Sequence, residues 1–426
     1  MTQPKRCVLA YSGGLDTSVS IRWLQEHLGY EVITCTADIG EAKDIEAVTD
    51  RALRTGAVAA YAVDARQLLI EEFCFPTLAA GAVYEGAYPL ATALARPLIA
   101  KILVDVARDE GAEAVAHGCT GKGNDQVRFD VATAALAPDL KVVAPVRDWE
   151  MGRPQEIEYA RRHGIEVPVT QASPYSIDAN IWGRSVEAGV LEDPWREAPT
   201  DVFAWTVDPR EAPEEGVVVT LAFEHGIPTA LAVEGGGDAV LEGEGLRGDQ
   251  LVTRLNAVAG AHGVGRVDHV ENRLVGIKSR EIYEAPAAVT LHVAHAALET
   301  LTLGRDVAHL KRRLGDEWAR LVYDGLWYGH LRSALAAFVA VTQEPVSGEV
   351  RLRLRRGVAS VTGRRAPGSL YREELATYDR RQDVFDHSAA RGFIELFGLP
   401  LRTQARIQGA LEDSGPLKLE RTVKRR

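Results

Sequence analysis

The sequence has little cysteine, and no two cysteines are spaced for metal binding or redox chemistry. The four cysteines, Cys7, Cys35, Cys74 and Cys119, lie far apart in a chain of 426 residues. Cys7 and Cys35 fall inside apolar runs, where buried, reduced thiols are typical. This pattern excludes a disulfide-stabilised secreted domain and favours the reducing cytoplasm.

Long apolar runs and an excess of positive charge are also missing. No run reaches about 18 apolar residues and no apolar segment follows a charged start, so we expect neither a transmembrane helix nor a signal peptide. The 49 Lys and Arg residues are outnumbered by 60 Asp and Glu residues, which gives a net charge of −11. Because nucleic-acid binding needs a basic surface, we expect neither nucleic acid nor membrane as a partner.

The most informative stretch that is present reads Ala-Tyr-Ser-Gly-Gly-Leu-Asp-Thr-Ser at residues 10–18. It follows a short apolar run, which predicts a strand, and precedes a helical pattern of Ile21, Leu24 and Leu28 that stops at Gly29. Glycines between a strand and a helix start let the backbone approach a ligand, and the helix offers free N–H groups. The stretch therefore predicts a phosphate or pyrophosphate site, although it lacks the lysine of a Walker A loop.

Asp16 is the unusual member of this stretch, since a carboxylate repels phosphate unless a cation lies between them. One interpretation is that Asp16 helps to hold Mg²⁺ on a bound pyrophosphate. The alternative is an ordinary strand–turn–helix corner in which Asp16 is an acid at the helix start.

The order of the predicted elements indicates the fold class. Strands alternate with helices up to about residue 165, which predicts a doubly wound parallel sheet with ligands at the carboxyl ends of its strands. From about Gln171, prolines punctuate a stretch that we interpret as an inter-domain passage. Beyond it we predict a strand pair around Gly226, a basic strand over 350–356 with a hairpin partner, a helix over 369–378, and a C-terminal helix beginning at Gly392.

Three further features of the sequence each allow two interpretations. The loop at residues 117–129 combines glycines with many polar side chains, which favours a ligand site over a solvated surface loop. The arginines of the basic strand suit either an RNA site or, as we prefer, a solvated or interface face. His292, His295 and Glu299 share one predicted helix face, where a solvated or interface face is the better interpretation than a metal site.

Taken together, five motifs resemble the argininosuccinate synthases over nearly the whole chain. The first motif alone is the PP-loop of ATP pyrophosphatases, which GMP, NAD and asparagine synthetases and tRNA-modifying enzymes share. The combination is specific to one family. The motifs are residues 10–18, 92–97, 117–129, 263–266 with 270–273, and 278–283.

The resemblance implies an ATP-dependent ligase of arginine biosynthesis. In such an enzyme, the ureido oxygen of citrulline attacks ATP to give citrullyl-AMP and pyrophosphate, and the aspartate amine then displaces AMP to give argininosuccinate. It also implies Mg²⁺, a cytoplasmic homotetramer and an α/β fold. The alternative is another PP-loop adenylating enzyme, such as a tRNA-modifying thiolase, but neither a catalytic cysteine pair nor a basic RNA-binding module is evident.

The domain organisation that the resemblance implies has four parts. These are a PP-loop nucleotide-binding domain with the doubly wound sheet (1–168), an α+β synthetase and multimerisation domain (169–388), a C-terminal oligomerisation helix (389–413) and a basic tail that we expect to be disordered (414–426).

The family's functional positions carry over onto residues of this chain. ATP would be bound by Ala10, Tyr11, Ser12, Gly13, Gly14, Leu15, Asp16, Thr17, Ser18, Ala37 and Gly118, with Asp16 also meeting the metal. Citrulline would be bound by Tyr88, Ala93, Asn124, Arg128, Ser176, Ser185, Glu271 and Tyr283. Aspartate would be bound by Thr120, Asn124 and Asp125. Ala93 departs from the family pattern, where serine can stand, so any contact there must come from its backbone.

Overall fold

The structure, a computed structural model, describes residues 5–41, 44–166, 174–234, 246–379 and 383–409. These residues fall into two compact units that divide between Leu370 and Tyr371. The tail over 414–426, for which disorder was predicted, lies outside the described residues. In the part of the chain that the structure describes, no helix combines the length and the apolar character needed to cross a bilayer.

The strands, in chain order, are β1 (Arg6–Ala10), β2 (Glu31–Asp38), β3 (Ala59–Asp64), β4 (Ala114–Ala116), β5 (Lys141–Val143), β6 (Ser176–Asn180), β7 (Gly183–Glu187), β8 (Val217–Glu224), β9 (Ile227–Glu234), β10 (Arg266–Asn272), β11 (Lys278–Glu284), β12 (Gly348–Arg355) and β13 (Val358–Arg365).

The α-helices are α1 (Leu15–Leu28), α2 (Ile45–Thr55), α3 (Arg66–Leu68), α4 (Phe75–Ala79), α5 (Ala91–Asp109), α6 (Asp125–Leu136), α7 (Pro145–Asp148), α8 (Arg153–Arg162), α9 (Gly248–Ala261), α10 (Pro286–Thr302), α11 (Arg305–Tyr323), α12 (His330–Gln343), α13 (Glu373–Ala376), α14 (His387–Phe397) and α15 (Leu399–Gln408). A π-helical turn spans Leu69–Cys74, and 3₁₀ turns span Gly189–Glu192 and Thr200–Val202.

The first half of the chain forms the predicted doubly wound sheet. Its five strands run parallel in the order β3-β2-β1-β4-β5. Successive side chains of a strand face opposite sides, so Cys7 and Leu9 of β1 pack with α1 and α2 while Val8 packs with α5. Because all five strands run the same way, the loops after β1, β2 and β4 share one edge, as the sequence predicted.

The structure corrects the interpretation of one segment as an inter-domain passage. From Ser176 the chain forms the β6–β7 hairpin, which joins β11 in a second sheet of order β10-β11-β7-β6. The inward side chains of this hairpin include Ser176, Asp178 and Ser185, which face a polar cavity rather than an apolar core. Without alternating apolar residues, the usual sequence signal of a half-buried strand is absent.

Glu284 fixes the second sheet where β11 meets β7. Its side chain is fully buried and accepts hydrogen bonds from Arg184 at 2.7 Å and from the backbone of Ala204, Trp205 and Thr206 at 2.9 Å each. Removing one partner of such a buried charge pair costs about 3–5 kcal/mol. Glu284 and Arg184 are also paired in the register of β11 and β7. The next pair along these strands is Tyr283 with Ser185, both predicted site residues, so this anchor helps to fix their positions.

The later elements were predicted in part. The strand pair around Gly226 (β8 and β9) and the basic hairpin (β12 and β13) are confirmed, and they form a third sheet of order β13-β12-β8-β9. The helix predicted over 369–378 is wrong except for α13, because Leu370 N–H instead bonds to the carbonyl of Leu301 at 2.7 Å. A C-terminal helix is confirmed, but it begins earlier than predicted: α14 begins at His387, and α15 follows from Leu399.

Candidate active site

The predicted phosphate loop lies between β1 and α1. Gly13 has a positive φ of 76°, a conformation that glycine adopts without strain, and Gly14 is the extended residue before the helix. Since the first N–H groups of a helix have no intrahelical partner, those of Leu15, Asp16 and Thr17 are available to an anion. The loop therefore has the geometry of an anion site.

A cavity of about 510 Å³ opens beside this loop, at the carboxyl edge of the parallel sheet. The predicted ATP residues that line it are Ala10, Tyr11, Ser12, Thr17, Ala37 and Gly118. Leu15 and Ser18 are instead buried, and the Ser18 hydroxyl lies 3.0 Å from that of Tyr11. Their side chains thus support the loop, and only their backbones remain for ligand contact.

Asp16 lies beside a second carboxyl group. Its side chain is 38% exposed, and its nearest cation is Arg153 at 3.6 Å. Burial, the negative charge of Asp16 and a hydrogen bond between the two acids together raise the pKa of the neighbouring Glu156 to about 7. No group of three or more His, Cys, Asp or Glu side chains suited to a metal occurs in the described ranges. His292, His295 and Glu299, for which a metal site was the less favoured interpretation, are not such a group. The preferred solvated face is wrong for His295, which is 1% exposed and lies 2.8 Å from the Oε1 of Gln343.

A second cavity, of about 220 Å³, gathers the predicted amino-acid residues. They come from the segment before α5, from the start of α6, from the β6–β7 hairpin and from β10 and β11. The predicted residues that line it are Tyr88, Asn124, Asp125, Arg128, Ser176, Ser185, Glu271 and Tyr283.

Glu271 is the fixed anion of this second cavity. Only 1% of the residue is exposed, and its two carboxylate oxygens accept hydrogen bonds from Tyr283 at 2.5 Å and from Tyr323 at 2.6 Å. Tyr283 in turn stacks on Tyr88 with ring centroids 4.1 Å apart. A buried carboxylate held in this way can receive a cationic group such as an α-ammonium.

Asp125 lies between two arginines. It pairs with Arg96 at 2.9 Å and with Arg128 at 2.9 Å. Burial by itself would raise the pKa of Asp125, but the two guanidinium groups outweigh burial and lower it to about 2. Asp125 is therefore ionised at neutral pH.

Comparison with known proteins identifies the family. The family model described as the arginosuccinate synthase N-terminal HUP domain matches residues 6–166, and the model of the C-terminal domain matches residues 175–404. The argininosuccinate synthase of Oceanobacillus iheyensis is 54% identical over 424 residues, which are 100% of this chain and 99% of the relative. The chain belongs to the argininosuccinate synthase family.

Two further argininosuccinate synthases are also more than half identical to this chain over most of its length. The enzyme of Symbiobacterium thermophilum is 55% identical over 95% of this chain and 98% of its own length. That of Rubrobacter xylanophilus is 56% identical over 95% of this chain and 96% of its own length. The chain is therefore an ATP-using ligase that forms a carbon–nitrogen bond, and the tRNA-modifying alternative is set aside.

Two of the citrulline and aspartate positions carried over from argininosuccinate synthases line neither cavity. Ala93 is fully buried in α5, where its N–H lies 3.4 Å from the Tyr88 hydroxyl. Thr120 is exposed in the loop before α6. Their roles in binding citrulline and aspartate stay predictions.

The structure also adds residues that the sequence reasoning did not assign. Arg96 and Asp178 line both cavities and pair with each other. Arg96 lies within the motif at residues 92–97, so the sequence did contain a signal for it. Asp178 is in the β6–β7 hairpin, which was not predicted. Further residues of the smaller cavity that were not assigned are Thr92, Gly123, Glu187, Arg273, Glu281 and Tyr323.

The residues that the structure describes also form a third cavity. It has about 750 Å³ and lies in the C-terminal unit, where Tyr378 and His387 help to line it. None of the predicted site residues is among those that line it.

Proposed function

We propose that the larger cavity binds ATP, the smaller cavity binds citrulline and aspartate, and the reaction takes place where they meet. The observation that supports this most is that Arg96 lines both cavities. In the first step, the ureido oxygen of citrulline attacks the α-phosphorus and pyrophosphate leaves. In the second, the aspartate amine attacks the ureido carbon of citrullyl-AMP, and AMP leaves with argininosuccinate as the product.

ATP would be held mainly by backbone groups of residues 10–18. The N–H groups at the start of α1 would bind the β- and γ-phosphates, and the hydroxyls of Ser12 and Thr17, 3.1 Å apart, would add donors. Ala37, near the end of β2, would contact the adenine side. Gly118, after β4, would contact the ribose or α-phosphate side.

Mg²⁺ fits the acidic side of this loop. The oxygens of Asp16 are of the hard type that Mg²⁺ prefers, and a cation would relieve the repulsion from Asp16 that helps to raise the pKa of Glu156. When bound, the ion would neutralise the charge that develops on the pyrophosphate. Asp16 would hold it from the protein side, with phosphate oxygens supplying further ligands.

Citrulline would lie with its α-ammonium group on Glu271 and its carboxylate toward Arg128. The Arg128 side chain is held by a hydrogen bond from its Nε to the carbonyl oxygen of Tyr323 at 2.9 Å and by Asp125. Because a ureido oxygen is a weak nucleophile, positioning and charge stabilisation must supply most of the rate. The fixed carboxylate and the fixed guanidinium provide the positioning.

Arg96 would provide charge stabilisation at the junction. It lies between Asp125 and Asp178, and its Nε is a buried donor without a hydrogen-bond partner among the described residues. An oxygen of the α-phosphate would satisfy that donor as negative charge develops on it. A preorganised donor of this kind stabilises the transition state more than the ground state.

Asp125 is expected to act after adenylation, on the aspartate amine. Replacing Asp125 with asparagine removes the charge but keeps the shape, so the aspartate KM should rise about 10- to 100-fold, the usual cost of a hydrogen bond to a charged group. ATP–pyrophosphate exchange with citrulline alone should change less than about threefold. The matched control is Asp139→Asn, which alters an exposed acid paired with Arg108. An unchanged aspartate KM would refute the role.

We also propose a cytoplasmic homotetramer with the domain division inferred from the sequence: 1–168, 169–388 and a C-terminal oligomerisation helix over 389–413. The described cysteines are free thiols, which suits a reducing compartment. In the C-terminal unit, α14 and α15 expose Phe393, Phe397 and Leu401, an apolar surface that suits contact with further copies. Light scattering of the full chain should give the mass of four chains, and a monomer would contradict this assembly.

A further inference from the structure

Tyr323, the last residue of α11, contacts residues from both amino-acid subsites. It is 1% exposed and lines the smaller cavity. Its hydroxyl donates to Glu271 at 2.6 Å and accepts from the Nδ2 of Asn124 at 2.8 Å. The carbonyl oxygen of Tyr323 accepts a hydrogen bond from the Nε of Arg128. The guanidinium carbon of Arg128 lies 4.9 Å from the centre of the Tyr323 ring.

The side chain of Tyr323 is itself held in place. Its ring stacks on that of Tyr84, with centroids 3.7 Å apart and an angle of 3° between the planes. Gly325, with a φ of 79°, lets the end of α11 approach α6, since a Cβ at this position would lie 2.8 Å from the Cα of Arg128. Burial raises the pKa of Tyr323, so its hydroxyl keeps its proton at neutral pH.

The single hydroxyl determines the orientation of two side chains. The Oδ1 of Asn124 accepts from the N–H of Leu274 at 3.0 Å, so donation from Nδ2 to Tyr323 completes the fixing of this amide. Tyr323 and Tyr283 each supply one donor to Glu271, one to each oxygen. Without the Tyr323 hydroxyl, one carboxylate oxygen loses its donor and the amide can rotate.

We propose that Tyr323 is a positioning residue that couples the citrulline and aspartate subsites, because it orients Glu271 and Asn124 through one hydroxyl. Asn124 serves both amino acids and Glu271 serves citrulline, so Tyr323 sets the affinity for both substrates while touching neither ATP nor its loop. This inference depends on the proposed binding roles of Glu271 and Asn124.

The test is Tyr323→Phe, which removes the hydroxyl and keeps the ring and the carbonyl. Losing donors to a charged group should raise the citrulline KM at least about 10-fold and the aspartate KM at least about fivefold. The ATP KM should change less than about twofold, and kcat less than about threefold. The matched control is Tyr328→Phe. Tyr328 lines neither cavity, and this variant loses a hydrogen bond of 2.9 Å to the carbonyl of Pro97, so it should leave all three KM values unchanged.

A double-mutant cycle shows whether Tyr323 acts through Glu271. Glu271→Gln should raise the citrulline KM, and the double variant Glu271→Gln with Tyr323→Phe should raise it by clearly less than the product of the two single effects. Fully multiplicative effects, or equal increases in all three KM values together with a lower unfolding midpoint, would overturn the positioning role. If Glu271→Gln leaves the citrulline KM unchanged, the proposed citrulline site fails. If only Tyr323→Phe has no effect, this inference alone fails.

Discussion

Replacing Arg96 with glutamine is expected to slow the formation of citrullyl-AMP by about 10²- to 10³-fold, the usual cost of losing one preorganised donor at a developing anion. Arg96 lies at the junction of the two cavities, between Asp125 and Asp178. Without its charge, the negative charge that develops on the α-phosphate would face two carboxylates. The rate to measure is single-turnover pyrophosphate release from ATP and citrulline.

Two controls separate this effect from a general loss of structure. Arg108→Gln removes a guanidinium from the exposed face of the same helix, where it pairs with Asp139, and should leave the rate unchanged. Arg96→Lys keeps the charge and should recover part of the lost rate. Pyrophosphate release by Arg96→Gln within threefold of the unmodified enzyme would remove Arg96 from the reaction.

Asp16→Asn is expected to produce the second large loss. If Asp16 holds Mg²⁺ on the pyrophosphate, the Mg²⁺ concentration for half-maximal rate should rise by about 10- to 100-fold, as for other losses of a metal-supporting carboxylate. The citrulline KM should change much less, because Asp16 does not line the smaller cavity proposed for citrulline. The measurement is single-turnover pyrophosphate release over a series of Mg²⁺ concentrations.

The control for Asp16 is Asp50→Asn, which alters an exposed acid in α2. A normal single-turnover rate and an unchanged Mg²⁺ dependence in Asp16→Asn would leave the helix-start alternative, in which Asp16 serves only the helix dipole. The same Mg²⁺ series shows whether Asp16 binds the ion or only contributes its charge. Saturating Mg²⁺ should partly restore the rate of Asp16→Asn only if Asp16 binds the ion.

The parallel half of the fold could be predicted because its signals are local. The alternation of strands and helices and the stop at Gly29 can be read within short windows, and the structure confirms both. The common edge of the strands then follows from their direction alone. The same local logic identified residues 10–18 as an anion site.

Composition indicated that the loop at residues 117–129 binds a ligand, but the assembly of the smaller cavity from distant segments could be predicted only through the family resemblance. Residues as distant as Tyr88 and Glu271 meet there, and neither composition nor periodicity shows that they approach each other. The resemblance supplied eight positions that the structure gathers in one cavity. Their roles in binding remain proposals that the variants above test.

The sequence reasoning did not assign Asp178, Tyr323 or Arg96 to the site, and the physical reason differs for each. Asp178 lies on a strand whose inward side chains are polar, so the strand itself gave no apolar alternation. Tyr323 ends a helix with an apolar stripe, which includes Trp318 and Val322, but nothing in that pattern distinguishes a core tyrosine from one that faces a cavity. Arg96 was within a recognised motif, yet only the structure shows that it borders two cavities.

The most direct test of the central claim, that citrulline is adenylated through its ureido oxygen, follows that oxygen. Citrulline labelled with ¹⁸O in the ureido group is supplied with ATP, Mg²⁺ and aspartate, and the products are examined by mass spectrometry. Because the oxygen bonds to the α-phosphorus and leaves when the aspartate amine displaces AMP, the label should appear in AMP and not in pyrophosphate. Label retained in the amino-acid product, or ADP as the nucleotide product, would contradict the account.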